Sequence, residues 1–180
     1  MSVVEPSPEM YERLLSLKTV RRFTAEPLSD EHITSILEAA RWTGSAKNLQ
    51  LWSFIVVSDP AQKARLTEAG SFMTPVANAP VAVALVRLPG GYDFDTGRVA
   101  QNLMLAAAAV GVGSCPVTLH DDAKAHEVLG LPDDVFCRYA VALGYPDEPA
   151  ERTGRAAQRL GLPTGRKPLE ELVHRNRWGG

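Results

Sequence analysis

Apolar residues recur along this chain at two spacings, and the switches between them predict its elements. Pro8 opens a helical segment whose Met10, Leu14, Leu15 and Leu17 make one apolar side. Ser29 or Asp30 caps a second helix, with Glu31 in its first turn. Ile33, Ile36, Leu37, Ala40 and Arg41 follow at helical spacing up to Trp42, and Gly44 ends the run. Residues 53–57 read as a short strand closed by D-P, 61–69 as a helix ended by Gly70, and 81–86 as a strongly apolar strand after Pro80. A P-G-G turn then leads into the longest helix, 94–110, whose V-A-Q-N-L-M-L-A-A-A-A-V is apolar on nearly every side. Such a helix belongs inside a domain or at a subunit contact. Gly111 and Gly113 end it. A strand at 114–119, a helix at 123–129 and a strand at 137–143 closed by G-Y-P complete the regular part. From Asp147 to Arg166 the chain turns polar, a long loop or extended arm, and the final P-L-E-E-L-V-H-R-N-R-W has enough apolar residues to dock on something.

This order predicts a layered α+β or α/β domain with helices on a sheet of four or five strands. No repeat, low-complexity tract or domain boundary interrupts it, so residues 1–180 read as one domain, with 147–180 as its arm. No strand is followed by G-x-G-x-x-G and no Walker A pattern occurs, so side chains would have to hold any nucleotide phosphate.

A chain of 180 residues buries about two-thirds of its unfolded surface on folding. A net charge of −2 gives no global attraction to nucleic acid or to an anionic membrane, so a local cluster of cations calls for a local anion. No run approaches the ~18 apolar residues of a membrane span, and M-S-V-V-E-P has no signal-like region. Two cysteines, Cys115 and Cys137, make no disulfide framework and read as buried thiols. A cytoplasmic protein is the expectation.

Two segments carry candidate chemistry. K-T-V-R-R-F brings Lys18, Thr19, Arg21 and Arg22 together, with Phe23 as an apolar anchor. Arg offers a planar fork of donors suited to phosphate oxygens and Lys a mobile point charge, but the same run also fits a solvated linker. S-A-K-N-L-Q-L-W places Ser45, Ala46, Lys47, Asn48, Gln50 and Trp52 where a helix gives way to a strand. Its amides can read a heterocycle edge or a polyol chain, or can bond their own backbone as a cap and turn.

These segments also carry a resemblance. T-G-S-A-K-N-L-Q-L-W is similar to the A-P-S-x-x-N-x-Q-P-W cofactor loop of the nitroreductase family of FMN proteins, and 17–23 resembles that family's R-R-S-x-R-x-F. D-T-G-R-V-A-Q-N-L-M-L-A-A, G-V-G-S-C-P-V, L-G-L-P, A-L-G-Y-P and G-R-K-P-L-E-E-L-V-H continue it in order, over almost the whole chain. The resemblance implies a three-layer α/β/α fold around a mixed sheet and an intertwined homodimer with two FMN sites, each built from both chains. It implies that Lys18, Thr19 and Arg21, joined by Arg166 and Lys167, meet the phosphate. It implies that Ser45, Ala46, Asn48 and Gln50 of the partner face the ribityl chain and ring. Pro116, Val117, Thr118 and Leu119 would pass the reactive edge of the flavin, where a backbone N–H faces N5. NAD(P)H would deliver hydride in a ping-pong cycle to a nitroaromatic, quinone or similar small acceptor, with no catalytic side chain and no metal. A flavin-storage protein, or an FMN-dependent oxidase that tailors a small metabolite or peptide, are the alternative expectations.

The chain also departs from the pattern. Lys18 and Thr19 replace Arg and Ser, and Gly44 and Leu51 replace prolines, which predicts a less rigid loop. Only R-L-P-G-G-Y-D separates Val86 from Phe94, which predicts an open pocket. His120 with Asp121 and Asp122 near the expected flavin edge reads as a proton donor or, more simply, as a turn and helix cap. Tyr92, Phe94 and Phe72 read as core packing or as pocket walls, and His32, His126 and His174 show no metal spacing.

Overall fold

The computed structural model describes residues 7–158 and 165–179, without the side chains of 154–158. Residues 1–6, and 159–164 of the expected polar arm, lie outside the described residues. By its contacts the chain divides into two units, Met1–Glu148 and Pro149–Gly180.

In the first unit, helices α1 (Pro8–Ser16) and α2 (Asp30–Arg41) precede strand β1 (Trp52–Val57). Helices α3 (Pro60–Leu66) and α4 (Thr74–Asn78), strand β2 (Val81–Arg87) and the long helix α5 (Asp93–Ala109) follow. Strand β3 (Gly113–Thr118), helix α6 (Asp122–Leu129) and strand β4 (Phe136–Gly144) close the unit. Short polar side chains start the helices: Ser29 accepts from the His32 N–H and Asp121 from Lys124, as expected, and Asp59, read only as the close of a strand, accepts from Gln62. Gly130, at φ +64°, ends α6 in the left-handed conformation that glycine adopts without penalty. α4 had no counterpart in the sequence reading; five residues between Met73 and Pro80 are too few to show a period.

The four strands form one sheet in the order β1-β2-β4-β3. A mixed sheet was expected, but all three ladders are antiparallel. The parallel component among the described residues is one isolated bridge, Thr19 to Ser114. The physical reason lies in the connections: β2 and β3 run the same way, but β4 inserts between them and opposes both.

Alternation along the strands sends two sets of apolar residues to opposite faces. Ala82, Ala84, Val86, Cys115, Val117, Ala140 and Ala142 share one core with Leu66, Val76 and Val128 of α3, α4 and α6. Val81, Val83, Leu85, Val141 and Leu143 share the other with Ile36 and Ala40 of α2 and Val99, Leu103 and Ala107 of α5. This is the expected α/β/α layering. Helix α1 behaves differently: none of its residues is buried, and Met10, Tyr11, Leu14 and Leu15 are exposed.

Where a loop or extended arm was expected from Asp147, the described residues form helix α7 (Glu148–Gln158). Gly, Pro and Arg suggested a loop there, whereas Pro149 sits in the first turn, where its missing N–H costs nothing. A short 3₁₀ turn, Leu169–Glu171, follows.

Candidate functional site

The basic segment is fixed by backbone bonds to β3 and to the residues that follow β4. Val20 donates its N–H to the Ser114 carbonyl at 2.9 Å, and Thr24 donates to Tyr145 at 2.9 Å. Phe23 bridges Pro146 and is buried, as its reading as an anchor required. Gly113 permits the approach: a Cβ there would stand 2.9 Å from Val20 Cβ. With its backbone tied down, the segment leaves Lys18, Arg21 and Arg22 exposed.

Strand β3 runs on from that point along the sheet edge. The Ser114 carbonyl points away from β4 to Val20, whereas the Leu119 N–H points inward to the Arg138 carbonyl at 2.9 Å. Backbone groups alternate in an antiparallel ladder, so the N–H of Thr118 points outward. Pro116, also outward and exposed, has no N–H. Val117 and Leu119 turn their side chains into the core instead. Pro116 and Thr118 therefore present the strand's outer edge, and Val117 and Leu119 support it from below.

The loop of residues 43–51 is held by its own bonds and by α5. Ser45 Oγ accepts from the Gln50 N–H at 2.9 Å, and Gln50 Nε2 donates to the Asn48 carbonyl at 3.2 Å. Lys47, Asn48 and Gln50 all have positive φ, between 52° and 56°. Three left-handed non-glycine residues within four positions persist only where surroundings over-determine them, and such strain concentrates at ligand sites. Those surroundings include Arg98 Nη1 bonded to the Gly44 carbonyl at 2.6 Å and Asn102 Nδ2 bonded to Thr43 Oγ1 at 2.8 Å. The Leu88 N–H also reaches the Leu51 carbonyl at 3.1 Å. Gly44 and Leu51, the two positions where the family pattern has proline, are thus each held through their carbonyls. A small cleft opens beside it, lined by Ser45, Ala46, Leu51, Trp52, Tyr92 and Asp95.

The cap-and-turn meaning given to the amides is present. Ser45 and Gln50 spend one group each inside the loop, while Ala46, Lys47 and Asn48 stand exposed. What one chain does not do is bring the loop to the basic segment. Thr19 lies beside Ser114, level with Leu143 and Val81, whereas the loop enters the sheet at Trp52, level with Arg87. At ~3.3 Å per residue and ~4.8 Å per strand, these corners are separated by about 20 Å along the strands and about 20 Å across them.

The family model for nitroreductases matches residues 16–87 and 89–145. The chain belongs to the nitroreductase family. An NADH dehydrogenase of Thermus thermophilus is 31% identical to it, over 88% of this chain and 92% of that protein. Among solved structures, nitroreductase A of Vibrio parahaemolyticus superposes with a TM-score of 0.80 at 22% identity, covering 96% of this chain and 77% of that one. An NADPH:FMN oxidoreductase of Vibrio harveyi, solved with NAD+, superposes with a TM-score of 0.78 at 25% identity, covering 93% and 76%. As a member of the nitroreductase family the protein is an oxidoreductase enzyme.

Several other residues take simpler places in this nitroreductase fold. Asp121 caps α6, and His120 is exposed at the end of β3. Cys115 and Cys137 are buried, and burial pushes the Cys137 thiol up to about 12. Phe72, Tyr92 and Phe94 are exposed rather than packed in the core. Among the described residues no cluster of His, Cys, Asp and Glu is arranged to hold a metal, and no helix is long and apolar enough to cross a membrane. Arg166 and Lys167 are exposed residues of the second unit. Sequence reasoning passed over Arg98 and Asn102. Their signal was two polar side chains four positions apart, hence on one face of the helix, just before its apolar C-terminal half.

Proposed function

We propose that this nitroreductase-family chain is an FMN-dependent oxidoreductase. It takes hydride from NAD(P)H and passes electrons to a nitroaromatic, quinone or similar small acceptor at the same site. It works as a homodimer in which each flavin is held by two chains.

The observation that carries this reading is the placement of the two donor sets at opposite corners of the sheet. One chain brings the basic segment to the β3 edge but leaves its loop of amides at the far corner of the sheet. Two-fold symmetry makes each copy's loop available to the other's basic segment. Lys18, Thr19 and Arg21 then bind the phosphate of FMN, with Arg166 and Lys167 added from the arm. Ser45, Ala46, Asn48 and Gln50 of a second copy bind the ribityl chain and ring. Pro116, Val117, Thr118 and Leu119 form the wall at the reactive edge, where the outward N–H of Thr118 is the available donor. The exposed apolar side chains of α1 support a second copy as their cover.

The donor chemistry fits the group: exposed cations for a dianion, and amides plus a strand-edge N–H for a flat hydrogen-bonding ring. When bound, FMN supplies a two-electron acceptor and donor at N5. The chain's own part is to anchor, orient and leave one face open to two substrates in turn. The five-residue link between β2 and α5 carries no covering helix. That openness also favours a second reading, an oxidase acting on a larger metabolite or peptide.

The absorbance spectrum of the purified protein tests this directly. A bound yellow flavin that is bleached by NADH or NADPH and recovers with added quinone is expected. A colourless protein that takes up no FMN overturns the cofactor assignment, and a bound flavin that neither nicotinamide bleaches favours the oxidase reading.

A further inference from the structure

We infer that Arg98 and Asn102 of α5 are positioning residues for the flavin loop, holding its first residues against that helix. The inference rests on the FMN reading above for its consequence, but not for its geometry.

Arg98 bonds the Gly44 carbonyl at 2.6 Å, and Asn102 bonds the Thr43 hydroxyl at 2.8 Å. The two donors sit one helical turn apart on α5 and grip consecutive residues of the loop. Thr43 is buried at 3% exposure, so its hydroxyl is chosen for this bond rather than for water. Gly44 lets the guanidinium in, since a Cβ there would already lie 3.3 Å from Arg98 Nη2. Arg98 is steered in turn by Asp95, 3.6 Å from its Nη1, and by the Phe94 ring beneath its guanidinium at 5.9 Å.

The grip lies immediately before Ser45, whose hydroxyl closes the tight turn onto Gln50. Three left-handed residues follow, and relaxing any of them would redirect the amides of Asn48 and Gln50. Both positions where the chain departs from the prolines of the family pattern are tied by hydrogen bonds, Gly44 to Arg98 and Leu51 to the Leu88 N–H. The loop is therefore clamped by α5 at its start and by the β2–α5 turn at its end. Pre-organisation of this kind acts on ligand affinity by removing an ordering cost on binding.

The test uses the full-length protein freed of flavin, with two readouts: hydrogen exchange of the amides of residues 45–51, and FMN affinity by fluorescence quenching. Arg98→Ala, Asn102→Ala and Thr43→Val should speed exchange in this loop while β2 and β4 stay protected. Each should weaken FMN binding about three- to ten-fold, the equivalent of one hydrogen bond. Arg98→Lys and Thr43→Ser, which keep a donor and the hydroxyl, should restore both readouts. Loop exchange that is unchanged in all three variants overturns the clamp, whether or not flavin binds. Faster exchange with unchanged FMN affinity overturns its role toward the cofactor. If the wild-type protein binds no FMN, the cofactor reading fails on its own, and the exchange readout still decides whether α5 holds the loop.

Discussion

Gly70 lies against the backbone of Thr118 so closely that a Cβ on residue 70 would stand 2.7 Å from the Thr118 carbonyl oxygen. The same Cβ would meet Met73 Sδ at 2.9 Å, and the Asp121 N–H bonds the Ala69 carbonyl at 2.9 Å, so the turn cannot draw back. This contact fixes the carbonyl of Thr118, the residue whose own N–H faces the outer edge of β3.

Gly70→Ala is expected to destabilise the fold by about 1–3 kcal/mol, the cost of forcing volume into a filled site. Denaturant unfolding of the flavin-free protein measures it. An unchanged midpoint would mean that the turn yields freely and that Thr118 is not held by it.

Arg21→Ala is expected to weaken FMN binding by about 1.5–3 kcal/mol, or roughly 10- to 100-fold, the scale of a lost charge-assisted bond. Riboflavin, which has no phosphate, supplies the control. Its affinity should be the same in both proteins. An equal loss for both ligands would contradict a phosphate contact and indicate a damaged fold.

The thiols are expected to be silent in the native protein. Burial pushes Cys137 up to about 12, and Cys115 is 4% exposed. The Cys137 thiolate is therefore scarce at pH 8, and both sulfurs are shielded. Ellman's reagent should react with neither until the protein unfolds, and with both in guanidinium. A thiol that reacts within seconds in the native state would contradict the burial of both strands.

The fold was legible where local chemistry decides it. The caps Ser29 and Asp121, the unbroken apolar run of β2 and the alanine-rich α5 each announce themselves within a few residues. α4 did not, because a single turn between Met73 and Pro80 has no period to read. α7 did not, because its Gly and Arg content outweighed the helix-starting Pro149. The sheet's antiparallel pairing depends on β4 inserting between β2 and β3, a long-range event with no local signature.

The site divides in the same way. Lys18, Arg21, Ser45 and Asn48 stood out by residue type and order. That Arg98 and Asn102 grip the loop from 54 and 59 residues away could not be read, since nothing in either segment names the other. Nor could the opposite-corner placement of the two donor sets, which follows only from strand order and register.

Mixed dimers give the sharpest test of a site shared between copies. An Arg21→Ala chain and a differently tagged chain carrying Ser45→Ala and Asn48→Ala would be co-expressed and the heterodimer isolated through both tags. If each flavin takes its basic segment from one copy and its loop from the other, the heterodimer has one site with both defects and one with none. It should retain about half the wild-type flavin at wild-type affinity, while either parent homodimer binds weakly. A heterodimer that holds flavin no better than its parents would contradict the shared site.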